Sequence, residues 1–219
     1  MKIIREFYSS QETESYLKEE ADGEKNIFVK GIFAQSETKN KNGRIYESGT
    51  LDRELYKLQK MIAEDRLTGE LDHPKEPEVL LKHAAMKIIS LKKDGNNYVG
   101  EAKIMKSVPN GAIAYGLAKE GIKFGTSTRG LGTLEDRDGT SYVKEDYNWL
   151  TNDLCADPSC EVAWVESIME KADYYIDNGY IKENVHETYM NRLKNISKEE
   201  GNTLKDKTIK LYNEFLQEI

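Results

Sequence analysis

The sequence contains few of the residues that form disulfide bridges or metal sites. It has only two cysteines, Cys155 and Cys160, and three histidines, His73, His83 and His186. The cysteines lack the second pair that a zinc site requires, and the histidines lack the helical spacing of a ligand pair. Two cysteines without a secretory signal are expected to remain reduced thiols. We therefore predict neither a disulfide nor a metal centre.

Long apolar runs and an excess of positive charge are also missing. No stretch approaches the roughly 18 apolar residues of a membrane span, and residues 1–6 do not resemble the start of a signal peptide. We therefore expect a protein of the reducing cytoplasm with no membrane association. The 32 basic and 39 acidic residues leave a net charge of −7. This charge argues against a general nucleic-acid binder, because such proteins displace counterions with a cationic surface.

A chain of 219 residues corresponds to one domain, or to one domain with an extension. Three segments differ in composition. Residues 1–25 are polar and charge-dense, and we expect a weakly structured lead-in. Residues 26–166 carry strand and helix patterns and form the predicted main domain. Residues 167–219 are rich in Glu, Lys, Asn and Leu, and we expect a helical tail with a mostly solvated surface.

The main domain combines strand patterns with two helical ones. Residues 27–33 form a short run with β-branched side chains that favours a strand, and the turn signal at 94–97 predicts a hairpin between two flanking strands. Apolar residues at helical spacing predict an amphipathic helix over residues 51–64. A shorter helix is expected within residues 110–121, where a glycine ends it.

Of the histidines, His73 has the most distinctive surroundings, because it lies in the segment 68–74, Thr-Gly-Glu-Leu-Asp-His-Pro. Pro74 fixes its own φ and favours an extended conformation at His73, which would present the imidazole ring at a fixed angle. Taken alone, an Asp-His-Pro sequence is also typical of an ordinary surface turn. For His83 we expect a partly buried, hydrogen-bonded side chain, and for His186 a solvated one.

The second distinctive segment is residues 125–132, Gly-Thr-Ser-Thr-Arg-Gly-Leu-Gly. Its glycines would let backbone N–H groups approach a ligand closely, and Arg129 could fix a loop or orient an oxyanion-binding backbone. The pattern is not a nucleophile elbow, which needs glycine at the position of Arg129. A glycine-rich edge strand or barrel corner is the alternative. A serine nucleophile also needs a histidine base and an orienting partner, so the fold would have to bring Ser127 and His73 together.

Four blocks of the sequence, in the same order, resemble the prohead core proteases of tailed bacteriophages. Residues 31–46 are similar to the family's N-terminal strand and its Asn-x-Asn-x-Arg-x-Tyr block. Residues 69–74 are similar to Gly-Glu-Leu-Asn/Asp-His-Pro, and residues 125–132 to Gly-x-Ser-Ser-Arg-Gly-Leu-Gly. Asp153, five residues before a Pro-Ser pair, resembles the family segment Val-Asp-x-Val-x-x-Pro-Ser. The resemblance extends from about residue 31 to residue 165.

The resemblance implies an α+β fold for residues 26–166, built as a compact, mostly antiparallel β-barrel with flanking helices and related to the herpesvirus assemblin proteases. The predicted hairpins and glycine-kinked strands are compatible with such a barrel. The tail, residues 167–219, would follow the protease domain and is a candidate for removal by self-cleavage.

The resemblance also implies a serine endopeptidase mechanism. The first serine of the family block, here Ser127, would be the nucleophile, and His73 would be the base. Backbone N–H groups around Arg129 and Gly130 would stabilise the oxyanion. No metal or organic cofactor is implied. Thr128 stands where the family usually has a second serine, and this change hardly affects the assignment of Ser127.

The third catalytic member is less directly indicated. Asp153 is the first choice to orient the base, although Leu154 and Cys155 depart from the family segment around it. His83 is the alternative, because the related assemblins use a second histidine in this role.

The biological role implied by the resemblance is capsid maturation inside the phage prohead, in the cytoplasm of the host. The expected substrates are phage scaffold or core proteins, the major capsid protein and the protease itself. An oligomer in the prohead core is expected, with no nucleic-acid or membrane partner. Two alternatives stay open from the sequence alone: a non-enzymatic scaffold component with a protease-like fold, and an unrelated serine hydrolase of small esters. The presence of both His73 and Ser127 in their motifs favours the protease.

Overall fold

The structure is a computed structural model that describes residues 1–8, 13–19, 25–72, 74, 76–156, 174–177, 180–184, 189–190, 193 and 208–212. The chain divides into two units, of which the larger comprises Ile4–Glu161 and the smaller comprises Met1–Ile3 with Val162–Ile219. The sequence predicted a boundary at 166–167, and the separate tail domain stays a prediction.

The elements alternate along the chain, with strands in the majority. The helices are α1 (Ser48–Ala63) and α2 (Pro109–Lys119), and a 3₁₀ turn covers Leu81–His83. The strands are β1 (Lys2–Tyr8), β2 (Thr13–Glu19), β3 (Lys25–Gln35), β4 (Arg44–Tyr46), β5 (Thr68–Glu70), β6 (Ala84–Asp94), β7 (Asn97–Ile104), β8 (Phe124–Gly132), β9 (Leu134–Arg137), β10 (Thr140–Val143), β11 (Asn148–Ala156), β12 (Tyr174–Asp177) and β13 (Tyr180–Glu183).

The largest sheet has the strand order β2-β3-β7-β6-β5. Its centre is the predicted hairpin: β6 pairs antiparallel with β7, and Asp94 faces Asn97 across the turn. Gly95 adopts φ 59° in this turn, a conformation that glycine reaches without steric penalty. Alternate residues of β7 are buried, as expected for a sheet with one face in the core. The hairpin prediction is therefore confirmed.

The amphipathic helix is also confirmed, as α1. Leu51, Leu55 and Leu58 recur on one face and are buried in the hydrophobic core. Burying side chains of this size contributes about 1.5–3 kcal/mol each to folding, so this face holds the helix against the sheet. Among the helices of the described part of the chain, none is long and apolar enough to cross a membrane.

A second sheet, with the order β1-β8-β11, packs against the first. Two side chains connect the sheets: the Thr126 hydroxyl donates to the carbonyl of Ile32 at 3.0 Å, and the Asn152 amide donates to the carbonyl of Phe33 at 2.7 Å. Every residue of β8 is buried. The glycine-rich segment is therefore a central strand of the smaller sheet and not an edge strand or a loop.

The closed barrel expected from the sequence is not seen in the part of the chain that the structure describes. The large sheet ends at the edge strands β2 and β5, and a bridge between Leu71 and Leu154 joins its β5 side to β11. Hairpin and glycine signals report turns and close packing, such as that of Gly100 against the ring of Phe33. They do not predict whether the first strand of a sheet forms hydrogen bonds with the last strand, which a closed barrel requires.

The expectation of a weakly structured lead-in is wrong. Residues 1–25 contain β1 and β2, which pair with β8 and β3 respectively. The polar composition was misleading because Arg5 and Glu6 are buried in β1 beside the apolar residues Ile3 and Ile4.

The predicted helical tail is wrong for residues 174–177 and 180–183. These residues form the antiparallel strand pair β12 and β13, in which Tyr175 faces Lys182. Tyrosine and isoleucine at the start of this stretch favour a strand, and the Asn-Gly pair at 178–179 is a hairpin signal that the composition-based prediction overlooked. Residues 189–190, 193 and 208–212 are helical, and a helical tail beyond them stays a prediction.

Candidate active site

The candidate nucleophile lies opposite the candidate orienting carboxylate. Ser127 of β8 and Asp153 of β11 are direct partners in the antiparallel register. Partners of this kind project to the same side of a sheet, with Cβ atoms about 4.5–5.5 Å apart. Neither residue has any exposed surface. The β8–β11 ladder therefore brings together two residues that the sequence separates by an entire hairpin.

Arg129 lies two residues after Ser127 and projects to the same side of the sheet. Its guanidinium is fully buried between two carboxylates. Nε lies 3.0 Å from Asp153 Oδ2, and Nη2 donates to Asp153 Oδ1 at 3.2 Å. The same Nη2 donates a short hydrogen bond to Glu70 Oε2. A planar fork of donors suits this arrangement, because a guanidinium binds two carboxylates at once.

Glu70 links this charge cluster to the segment that carries His73. Its backbone N–H donates to Asp153 Oδ1 at 3.1 Å, and its Oε1 accepts from the Leu80 N–H at 2.5 Å. Arg129 adds two contacts to the same segment through Nη1, which donates to the carbonyls of Glu76 at 3.0 Å and Glu78 at 3.3 Å. Residues 71–80 are thus attached by buried side chains to β8, the strand that carries Ser127.

The residues on each side of position 73 have their own attachments. The Asp72 N–H donates to the carbonyl of Leu154 at 2.8 Å, next to Asp153. The Pro74 carbonyl accepts from Arg5 Nη2 of β1 at 3.0 Å. Asp72 adopts φ 58°, in the left-handed region that few residues other than glycine favour. His73 itself lies outside the described residues, as do His186 and Cys160.

His83, the alternative third member, stands at the far end of the same segment. It is half-buried in the 3₁₀ turn before β6. Its N–H donates to the Leu80 carbonyl at 2.9 Å, and its carbonyl accepts from the Leu71 N–H at 3.4 Å. These contacts fix the backbone of His83 beside the beginning and the end of the segment 71–80.

Gly130, predicted beside Arg129 as an oxyanion element, lies inside β8. A Cβ atom at this position would approach the Tyr147 ring to 2.4 Å. Glycine is required here because the aromatic ring packs directly on the strand.

The other candidate nucleophile near the cluster is Cys155. Burial raises the pKa of its thiol well above the usual range, and Asp153 and Asp72 act in the same direction. A thiol that stays protonated is a poor nucleophile. No group of three or more His, Cys, Asp or Glu residues suited to a metal ion occurs among the residues that the structure describes.

Comparison with known proteins matches residues 11–173 to the family described as prohead core protein serine protease. The chain belongs to this family. It is 30% identical over 166 residues to the prohead core protein protease of Enterobacteria phage T4. The aligned region covers 71% of this chain and 78% of that protein. The solved structure of the bacteriophage T4 capsid assembly protease, gp21, superposes with a TM-score of 0.65 at 22% identity. It covers 72% of this chain and 98% of that one.

The resemblance drawn from the four sequence blocks is therefore confirmed. The chain is a protease of the serine type with a role in capsid maturation. Its fold is a strand-rich mixture of strands and few helices, shared with the T4 structure.

The Asn-x-Asn-x-Arg-x-Tyr block of this prohead protease attaches β1 to the site. Asn40 Oδ1 accepts from the backbone N–H groups of Asn42 and Arg44 at 3.0 and 2.9 Å, which shapes the turn. The Asn42 amide then donates to Glu6 Oε2 at 2.8 Å, and Arg44 Nη1 donates to Glu6 Oε1 at 3.2 Å. The carbonyl of Glu6 accepts from the Thr128 hydroxyl at 3.2 Å. The block therefore holds Glu6 of β1 in place beside β8, the strand that carries Ser127.

Burial dominates the electrostatics of Glu6. It raises the pKa of this carboxyl to about 7, although Arg44 and Asn42 act in the opposite direction. Burial also raises the pKa values of Tyr46 and Tyr147 well above their usual range. The rings of these two tyrosines meet edge to face, with centroids 5.2 Å apart.

Three buried neighbours of the predicted site residues could not be recognised from the sequence patterns used above. Glu70 stands inside a quoted motif, yet no role was assigned to it. Arg5 and Glu6 stand in the segment that was read as a lead-in. The available signal was a charged residue inside a short strand-like run, which is rare unless the charge is paired in the core.

We expect Glu6→Gln to change how the stability of the protease depends on pH. The native carboxyl has a pKa of about 7, against an ordinary value of 4.5 for glutamate, so the folded state retains a proton that the unfolded state releases. This stability is fully present below pH 4.5 and is lost as the pH rises through 7. The loss is at most about 3 kcal/mol in the wild type, and the glutamine variant lacks it.

The measurement is the free energy of unfolding by denaturant at a series of pH values. Glu14→Gln, which alters an exposed carboxyl on β2, is the control. A difference between Glu6→Gln and wild type that is constant across the pH series would contradict the raised pKa.

Proposed function

We propose that this protease cleaves phage scaffold or core proteins, the major capsid protein and itself inside the prohead. Ser127 is the nucleophile, His73 the general base and Asp153 the residue that orients the base. The observation that carries this proposal is the pairing of Ser127 with Asp153 on one face of the sheet. The residues flanking position 73 are attached to the same sheet through Leu154 and Arg5.

In the proposed reaction, Ser127 Oγ attacks the scissile carbonyl carbon while His73 accepts the hydroxyl proton. The tetrahedral oxyanion is stabilised by backbone N–H groups around Arg129 and Gly130, and each such donor is worth about 10²–10³ in rate. Collapse of the intermediate releases the amine, which takes the proton from His73. A water molecule activated by His73 then hydrolyses the acyl-enzyme, and Ser127 regains its proton.

Access to the nucleophile is a separate requirement. Ser127 has no exposed surface, and a protease must bind its substrate in an extended form at the nucleophile. We infer that groups covering Ser127 move before a peptide is cut. A relationship to the assemblin proteases, oligomer formation in the prohead core, a location in the host cytoplasm and the absence of nucleic-acid and membrane partners are parts of the same proposal.

We expect Ser127→Ala and His73→Ala each to lower cleavage of a co-expressed scaffold protein by at least about 10⁴-fold, because the two residues act as a unit. The double variant should be little worse than either single one. Labelling with a fluorophosphonate, followed by mapping of the modified residue, should identify Ser127. Substantial proteolysis by the Ser127→Ala protein would contradict the assignment of Ser127 as the nucleophile.

The two candidate third members make opposite predictions. If Asp153 orients His73, Asp153→Asn should lower the cleavage rate by about 10⁴-fold, and His83→Gln should have a much smaller effect. Because Asp153 also pairs with Arg129, thermal unfolding of each variant is measured alongside the rate. The reverse order of effects, in proteins of equal stability, would assign the role to His83.

The family resemblance implies cleavage after glutamate with an aliphatic residue two positions earlier. Self-cleavage is therefore expected after Glu170, which ends such a triplet, Ile-Met-Glu, at the junction with the tail. Two further triplets end at Glu183 and Glu218. The triplet at 181–183 lies in β13, paired with β12, so cleavage there requires the hairpin to open. The triplets at 168–170 and 216–218 lie outside the described residues.

We therefore expect active protein to convert slowly to a form that ends at or near Glu170, which mass spectrometry of aged protein detects. The Ser127→Ala protein is the control and should stay intact. Equal trimming of both proteins would reject self-cleavage at this position.

A further inference from the structure

Glu70 and Arg129 connect the strand of the nucleophile to the segment of the base. We propose that their side chains form a clamp that sets the position of residues 71–80 relative to Ser127. Both are then positioning residues for the reaction, acting through His73. The proposal rests on the assignment of His73 as the base, and it goes further by giving Glu70 a role and by adding a role for the side chain of Arg129 to the one proposed for its backbone.

The contacts of Glu70 close the segment at both ends. Glu70 is the residue before the segment, and its Oε1 accepts from the N–H of Leu80 at the end of the segment, at 2.5 Å. Its own N–H is held by Asp153 Oδ1 at 3.1 Å. One buried side chain therefore fixes the distance between the start and the end of residues 71–80.

The contacts of Arg129 hold the middle of the segment. Nη1 donates to the carbonyls of Glu76 and Glu78 at 3.0 and 3.3 Å, while Nε and Nη2 face the two carboxylates. A lysine could not replace it, because an ammonium group is a single point with no fork to span carboxylates and carbonyls together.

The chemistry of the segment explains why it needs such a clamp. Pro74 and Pro77 have no backbone N–H, and the residues described between Asp72 and Leu80 belong to no strand or helix. Partly buried carbonyls in such a stretch are stabilised by donors from elsewhere. Arg129 supplies two of them from a position two residues beyond Ser127. A shift of about 1 Å in a catalytic group lowers the rate by about 10²-fold, so the clamp has a direct effect on reactivity.

A test must separate positioning from general destabilisation, because removing any partner of a buried charge weakens the fold. Glu54 offers a matched control. It is equally buried, accepts from the Trp149 N–H at 3.1 Å, and pairs with Arg53 at 2.9 Å and Lys57 at 2.7 Å. All three partners lie outside residues 71–80. Glu54→Gln therefore perturbs a similarly buried carboxylate whose partners all lie outside the segment that the clamp holds.

The experiment compares full-length wild type, Glu70→Gln and Glu54→Gln by three measurements. Thermal unfolding measures stability, and hydrogen exchange with mass spectrometry measures the opening of residues 71–80. The rate of fluorophosphonate labelling measures the reactivity of Ser127. A small phosphonylating probe fills little of a peptide groove, so its rate reflects the catalytic groups more than substrate binding. Arg129→Lys is measured in parallel. Glu70→Asp, which keeps the charge but shortens the reach to Leu80, replaces Glu70→Gln if that variant fails to fold.

We expect Glu70→Gln and Arg129→Lys to increase hydrogen exchange in residues 71–80 and to slow labelling of Ser127 by about 10²-fold. Glu54→Gln should change neither, even at equal loss of thermal stability. Unchanged exchange in the Glu70 variants would overturn the clamp, and increased exchange with unchanged labelling would overturn its positioning role. Equal changes in exchange and labelling in Glu54→Gln would show that these changes follow from general destabilisation, and would overturn the clamp. A wild type that is not labelled at Ser127 would contradict the proposed function itself, and the positioning role with it.

Discussion

The pairing of β8 with β11 around a buried guanidinium is the constraint on which the rest of the site depends. An isolated charge in the interior is strongly unfavourable, so the buried guanidinium of Arg129 requires carboxylate partners. Glu70 of β5 and Asp153 of β11 are these partners. These three strands cannot slide past one another without separating opposite charges in a dry environment. The alignment of Ser127 with Asp153 is thus protected by charge as well as by the hydrogen bonds of the ladder.

The features of the fold that could be predicted from the sequence are local. Helix α1 repeats its leucines on one face, and the turn at Gly95 carries its own signal, so neither depends on distant parts of the chain. Strand β1 could not be predicted, because Arg5 and Glu6 resemble surface residues until the partners that bury them are known. The pairing of sheet edges, which decides between a barrel and open sheets, is likewise a property of residues far apart in the sequence.

The site shows the same division. The motif order was sufficient to select Ser127 and Asp153, and the register of β8 and β11 makes them direct partners. His73 is assigned from its motif alone. The network around Glu70 could not be predicted, because its members come from separate strands and no spacing in the sequence relates them. Arg129 was predicted to have an oxyanion role, whereas the structure shows that its side chain also contacts the carbonyls of Glu76 and Glu78.

The left-handed backbone of Asp72 gives a different meaning to one position of the family motif. The motif accepts Asn or Asp immediately before the histidine, a choice that is easily read as indifference to charge in a catalytic group. At φ 58°, asparagine and aspartate are the non-glycine residues that tolerate the conformation best. The position is therefore selected by backbone geometry. Relatives with glycine at this position are expected to keep the same backbone conformation before the histidine. Relatives with a β-branched residue there are expected to have a different conformation in this turn.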